Sequence, residues 1–333
     1  MKILLSGYHN PHFWTITEYI EQAIRSLGHD LYIFDDRQHI IPGRIRRRVA
    51  WINAIDRGYI NRKLLSLAWQ KRPDVAIVTG GHRIAASTIG TLKKYGIKTV
   101  LWTIDAPLDF QPILDAASRY DHIYCQGTEA MELLERAGIH GAHWLPMACD
   151  PFQHKPVKLS AEEKKYYGKE LVFVGSYYPN RAELFEELSD FDFGIWGPGW
   201  DKLGKKSKIR KCIKGAHTLP SEWLKIYSAS KIVLVTHYQD PENRFSVYQA
   251  SPKVFEAMAC GAFVVCDRQR DVFDLFTDGK HLVGLDDSRD LVEKIKYFLE
   301  HEDQRLEIAR QGREEVIHSH TYVNRLSKLL SEI

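Results

Sequence analysis

The sequence predicts an α/β protein built from two doubly wound domains, each a parallel sheet with helices on both faces. Three observations predict it. Short apolar runs alternate with segments of helical spacing through both halves. The length, 333 residues, is long for one core and comfortable for two. Between the halves lies Cys149-Asp-Pro-Phe-Gln-His-Lys-Pro156, with two prolines and no periodicity.

In the first half, Ile3–Ser6, Asp30–Phe34, Val75–Thr79, Thr99–Ile104, His122–Cys125 and His143–Met147 read as strands. Thr15–Leu27 and Glu129–Ala137 carry helical spacing between them. In the second half, Val172–Gly175, Asp192–Trp196, Lys231–Thr236, Ala262–Cys266 and His281–Gly284 repeat the pattern. Leu291–Leu299 and Asp303–His318 read as closing helices, and the segment from His320 to Leu330 as one more. The expected division is a first domain over 1–150, a second over 162–318 and a terminal helix over 319–333.

Ligands of doubly wound sheets bind beyond the carboxyl ends of the strands. The richest such segment is Ser251-Pro-Lys-Val-Phe-Glu-Ala-Met-Ala-Cys-Gly-Ala-Phe-Val-Val-Cys-Asp267. Ser251 suits an N-cap and Pro252 the first helical position. Phe255, Met258 and Ala259 share a face, and Gly261 suits the left-handed stop. A helix N-terminus offers free N–H groups and partial positive charge to a phosphate. Lys253 adds a full charge there. Glu256, one turn on, supplies a carboxylate able to accept hydrogen bonds from two ribose hydroxyls.

Other loops add candidates. Gly175-Ser176, after a strand, lets the backbone approach a ligand, and Arg181 supplies N–H donors for phosphate. Arg244 is placed to reach the same phosphate site from another side. Gly197, in Trp196-Gly-Pro-Gly-Trp200, leaves room for a planar base, with a tryptophan as stacking platform or as core packing. In the first half Asp105 stands at a strand's carboxyl end, as general base or as turn cap. His82 holds a similar place, and His9 and His12 follow the first strand. The sequence contains neither G-x-G-x-x-G nor G-x-x-x-x-G-K-[ST], which argues against a dinucleotide dehydrogenase and a P-loop enzyme.

The net charge of +3 hides two basic segments. Pro42–Arg72 holds nine basic residues and one acid, and Asp201–Lys214 seven and one. The first includes Ile45, Val49, Trp51, Ile52 and Ile55, so it reads either as a helix packed on its own domain or as a surface for anionic lipid. The five cysteines are scattered with no C-x-x-C pair, which suits a reducing cytoplasm and suggests neither zinc nor disulfides. No apolar run approaches the roughly 20 residues that span a bilayer.

With these residues in view, the second half resembles the group 1 glycosyltransferases of the spore-maturation CgeB-like branch. The resemblance rests on an ordered set: Phe173-Val-Gly-Ser176 with Arg181, Trp196–Trp200, Tyr227-Ser-Ala-Ser-Lys-Ile232, Lys253–Phe263, and His320-Thr-Tyr322 with Arg325. It spans about Glu162 to Arg325; the first half matches in strand order and in the Asp105–Pro107 turn. The resemblance implies the GT-B fold, two Rossmann-like domains facing across a cleft, with the last helix crossing back to the first domain. It implies a nucleotide-sugar donor held mainly by the second domain, Glu256 on the ribose, and Ser251 and Lys253 near the diphosphate. It implies no cofactor and no essential metal, since helix dipole and cations stabilise the leaving group. Many retaining relatives carry an acid eight residues before this glutamate, where this chain has Tyr248; stereochemistry stays open.

The expected activity is metal-independent sugar transfer from a nucleotide-diphosphate donor, UDP-, GDP- or dTDP-linked, to a hydroxyl of a glycan, a lipid-linked acceptor or a protein. Alternatives are a nucleotide-sugar epimerase or hydrolase, and a catalytically silent nucleotide- or glycan-binding protein of a surface-assembly complex. Nucleic acid is not an expected partner.

Overall fold

The computed structural model describes residues 1–41, 48–104, 107, 110–240, 242 and 246–333. The chain divides into two compact units, Met1–Pro146 with Tyr322–Ile333, and Met147–Thr321.

The first unit holds a six-stranded sheet made of Lys2–Gly7 (β1), Asp30–Asp35 (β2), Val75–Thr79 (β3), Lys98–Thr103 (β4), His122–Cys125 (β5) and Ala142–Trp144 (β6). All neighbours run parallel in the order β2-β1-β3-β4-β5-β6. Every residue of β3 is buried, as the apolar run of a strand covered on both faces requires. The connecting helices are Ile16–Ser26 (α1), Ala50–Lys71 (α2), Ala86–Lys94 (α3), Gln111–Ala117 (α4) and Thr128–Arg136 (α5). α1 begins with a capping box, Thr15 and Glu18 satisfying each other's backbone N–H groups.

The second unit repeats the plan with Leu171–Val174 (β7), Phe193–Trp196 (β8), Ile213–Gly215 (β9), Ile232–Val235 (β10), Val264–Asp267 (β11) and Val283–Leu285 (β12). The order is β12-β11-β10-β7-β8-β9, again parallel. Its helices are Ala161–Tyr167 (α6), Pro179–Phe185 (α7), Pro220–Ala229 (α8), Pro252–Ala259 (α9), Arg270–Leu275 (α10), Ser288–Glu300 (α11) and Glu302–Ser319 (α12). Phe173, Phe185, Phe193 and Trp200 sit at the centre of the core on one side of this sheet. The last helix, Tyr322–Ser331 (α13), packs within the first unit. There Tyr322 lies against Tyr19 at 6.1 Å between ring centroids, and Arg325 Nε donates to the Pro146 carbonyl at 2.9 Å.

Each strand read from the sequence is present, with ends within two residues except for His143–Met147, which stops at Trp144. β9 is the strand the sequence reading lacked. It is a three-residue edge strand inside a basic segment, and its register against β8 is broken between Ile195 and Trp196.

Candidate functional site

Strand order reverses direction at one point in each sheet: β1 lies between β2 and β3, and β7 between β8 and β10. Such a switch point opens a crevice between the loops at the strands' carboxyl ends. In the second unit, the loops leaving β7 and β10 and the start of α7 bring together Gly175, Ser176, Arg181, Thr236 and His237. The start of α9 adds Ser251, Lys253 and Glu256.

Close backbone approach shapes this crevice. Gly197 has φ +142°, and a Cβ on it would sit 2.1 Å from the Gly175 carbonyl oxygen. Only glycine lets the two loops meet. The same carbonyl accepts from Trp200 Nε1 at 2.9 Å. A Cβ on Gly175 would lie 2.9 Å from Lys253 Nζ, so the lysine amine reaches over this loop.

Arg181 forms the floor. Its guanidinium is buried and donates to the Ser176 carbonyl (2.8 Å), Thr236 Oγ1 (3.1 Å) and the Thr236 carbonyl (2.6 Å). Two of its five N–H groups remain beyond these bonds. Burial lowers its pKa to about 10, against the pull of Tyr178 and Asp267.

Lys253 and Glu256 are partly buried, one helical turn apart. Burial lowers the Lys253 ammonium to about 8, helped by repulsion from Arg181 and opposed by Glu256. Burial raises the Glu256 carboxyl to about 7, opposed by Lys253. Among the described residues, neither head group has a hydrogen-bond or ion-pair partner. Two cations thus meet at a glycine loop, with a carboxylate one helical turn from Lys253, and with capacity to spare.

The helix start differs from expectation. Ser251 N–H donates to His237 Nε2 at 2.9 Å, Lys253 N–H to Ser251 Oγ at 3.4 Å, and Val254 N–H to the Ser251 carbonyl at 3.0 Å. Pro252 has none to give. The first N–H groups are therefore engaged within the protein, and the attraction for an anion comes from the dipole and the side-chain cations.

His237 and Asp267 are components the sequence reading missed. An amide can only donate, so His237 Nε2 is an acceptor and the ring's proton sits on Nδ1. From there it donates to Asp267 Oδ1 at 2.6 Å. Asp267 also accepts from the His237 backbone at 3.0 Å. The pair fixes the end of β11 to the loop that follows β10, and so fixes where α9 begins. The available signal was positional: both residues end or follow a strand. His237, Cys266 and Asp267 also gather within metal-ligand range of one another. The donor set does not suit a metal, because the Nδ1 that would ligate it is the one the Ser251 amide keeps protonated.

Trp196 and Trp200 are both buried. Trp200 lies against Phe173, Tyr177 and Phe185 with centroids 5.4–6.3 Å apart. Of the two readings of these tryptophans, core packing is the one found: both rings are buried, and Gly197 lets its loop meet the Gly175 loop. Tyr248 lies beneath the Arg270 guanidinium at 5.1 Å.

In the first unit His82 follows β3, partly exposed, and His9 follows β1, paired through Nε2 with Glu21. Burial counts against charge on His9, but its hydrogen bond to Glu21 is the larger influence and raises its pKa. His12 is exposed. Asp105 and Arg244 lie outside the described residues, as does Pro42–Arg47 of the basic segment.

Two parallel six-stranded sheets with flanking helices define the class: the fold is that of the GT-B glycosyltransferases. Sucrose-phosphate synthase (tll1590) from Thermosynechococcus elongatus matches with a TM-score of 0.72 at 12% identity, over 99% of this chain and 98% of that one. Anabaena Alr3699/HepE in complex with UDP and glucose matches with a TM-score of 0.65 at 13% identity, over 100% of both chains. Within the class, residues 181–331 match the family model described as Glycosyl transferase-like. Spore protein CgeB of Bacillus subtilis (strain 168) is 21% identical over 269 residues, 78% of this chain and 82% of CgeB. The resemblance to CgeB-like group 1 glycosyltransferases, read first from the sequence, is borne out.

Proposed function

We propose that this protein transfers a sugar from a nucleotide-diphosphate donor to an acceptor hydroxyl, with no metal required. The observation that carries the reading is the pair of uncommitted head groups, Lys253 and Glu256, at the switch point of the second sheet beside Gly175 and Arg181. A diphosphate between Lys253 and Arg181 gains two charge-assisted contacts. A ribose over Glu256 gives its carboxylate two hydroxyl donors. The solved relative that holds UDP and glucose supports a sugar nucleotide as the ligand class.

In the reaction the acceptor oxygen bonds to the anomeric carbon as the bond from that carbon to the diphosphate oxygen breaks. The acceptor proton goes to a base, for which Asp105 and His82 are the candidates, and the nucleoside diphosphate leaves with the electron pair. Lys253, Arg181 and the dipole of α9 stabilise the charge on the leaving oxygens, doing what a metal does elsewhere. Arg244 is a further candidate for the diphosphate, and Ser251 sets the helix start. The acceptor is a glycan, a lipid-linked chain or a protein hydroxyl. A reducing compartment such as the cytoplasm suits the five buried cysteines.

The test is release of nucleoside diphosphate from UDP-, GDP- and dTDP-sugars, with and without EDTA and with candidate acceptors. Acceptor-stimulated release that survives EDTA is expected. Tight binding without turnover of any donor would contradict transfer and favour the silent binding protein; release that no acceptor stimulates would favour a hydrolase.

A further inference from the structure

The basic segment that the donor site leaves unused runs through α2. One row of this helix faces inward: Asp56, Ile60, Asn61, Leu64 and Ala68 are buried. That row satisfies the packing demand of the helix. Yet Trp51, Ile55 and Trp69 lie on the opposite side, 66%, 55% and 53% exposed. Positions 51, 55, 62 and 69 fall on one stripe at 3.6 residues per turn, about 27 Å long. Arg62 sits in the middle of it, exposed. Single exposed apolar residues are ordinary, but two indoles and an isoleucine aligned among cations are not.

The charges are one-sided. Of the cations from Arg48 to Arg72, Arg48, Arg62, Lys63 and Arg72 are exposed on or beside this stripe, whereas Arg57 donates to the Arg83 carbonyl at 3.2 Å and Lys71 lies over the Tyr32 ring at 5.5 Å. The sole acid, Asp56, is buried and paired with His39. Trp69 is held in place, its ring edge-on to Tyr95 at 5.0 Å and capped by the Arg72 guanidinium at 3.5 Å. Arg72 ends the helix at φ 48°, in the left-handed region that glycine adopts most cheaply. The backbone is thus strained at a residue whose side chain joins the exposed surface.

We propose that this face of α2 is a docking surface for an anionic lipid bilayer, with Trp51, Ile55 and Trp69 seated at the headgroup–acyl boundary and Arg48, Arg62, Lys63 and Arg72 on lipid phosphates. Aligned indoles with flanking cations are the composition of a helix lying in that interface. Nucleic acid offers the phosphates but no apolar phase for Ile55. No helix among the described residues is long and apolar enough to cross a membrane, so the contact lies on the surface. The inference stands apart from the donor site, and its test does not read donor binding.

The test is co-sedimentation with vesicles of equimolar phosphatidylglycerol and phosphatidylcholine, against phosphatidylcholine alone, at low and high salt. Salt-sensitive binding to the anionic vesicles is expected. Arg62→Gln/Lys63→Gln should weaken it about 30-fold, at about fivefold per cation. Trp51→Ser/Trp69→Ser should weaken it further. Arg72→Gly should weaken it about fivefold with no loss of melting temperature, because glycine relieves the backbone. Absence of binding to anionic vesicles at low salt would overturn the proposal. So would undiminished binding by both double variants, or binding to heparin without binding to vesicles, which would point to another polyanion.

Discussion

At the scale of single residues, Lys253 and Glu256 hold the central claim, and each has a cost in the free protein. Glu256 titrates at about 7 in the folded chain against 4.5 ordinarily, so the folded state keeps a proton that the unfolded chain releases between those values. Its contribution to stability is full below 4.5 and is lost as pH rises through 7. Lys253 works in the opposite window: at about 8 against 10.5, the folded chain has already released its proton, so stability recovers as pH rises between them. Donor binding needs both charged forms, carboxylate for the hydroxyls and ammonium for the diphosphate. Affinity for a sugar nucleotide, whose diphosphate diester does not titrate here, is therefore expected to peak between about 7 and 8 and to fall on both sides. Calorimetric titration across pH checks this. Glu256→Gln should remove the acid limb, together with the fall in stability between 4.5 and 7. A flat profile in the unaltered protein would contradict these roles.

At the scale of elements, the crevice depends on loops that meet only because of glycine. Gly197→Ala places a methyl 2.1 Å from the Gly175 carbonyl oxygen at φ +142°. The loops must part, and the bond from Trp200 to that carbonyl with them. The expected loss is about 3 kcal/mol in urea unfolding, with loss of donor affinity. Gly199 is the control: φ is +82° and the nearest atom to an added Cβ is 3.4 Å away. Gly199→Asn should cost less than about 1 kcal/mol, since asparagine tolerates this conformation. Equal costs at the two positions would show that the close approach is unimportant. The same elements show what a sequence yields. Ser251, Pro252 and Gly261 announce α9 because cap, first-turn proline and left-handed stop are local chemistry, and the structure has all three. The engagement of the helix N–H groups by His237 was not legible, because it joins residues 14 apart across a loop. Nor was the burial of Trp200, since stacking platform and core ring are the same residue until packing separates them. The two faces of α2 were equally ambiguous, because apolar residues on both sides blur the helical period.

At the scale of the whole molecule, alternation of strand and helix made the two parallel sheets readable, and the switch points follow from strand order. What alternation cannot give is a three-residue edge strand such as β9, which has no apolar run of its own. The division of the chain puts α13 with the first unit, where Tyr322, Leu326 and Leu329 are buried beside α1. The second unit, Met147–Thr321, is therefore one continuous segment that contains every described residue of the donor site. Its ligand class is the account's central claim. The most direct test is calorimetric titration of the full chain with UDP, GDP, dTDP, CDP and ADP, in EDTA, alongside Lys253→Gln and Glu256→Gln. The account predicts that one base is preferred, that EDTA makes no difference, and that each variant weakens binding at least about tenfold, as loss of a charge-assisted contact requires. No binding by any of the five, or binding that both variants leave unchanged, would contradict it.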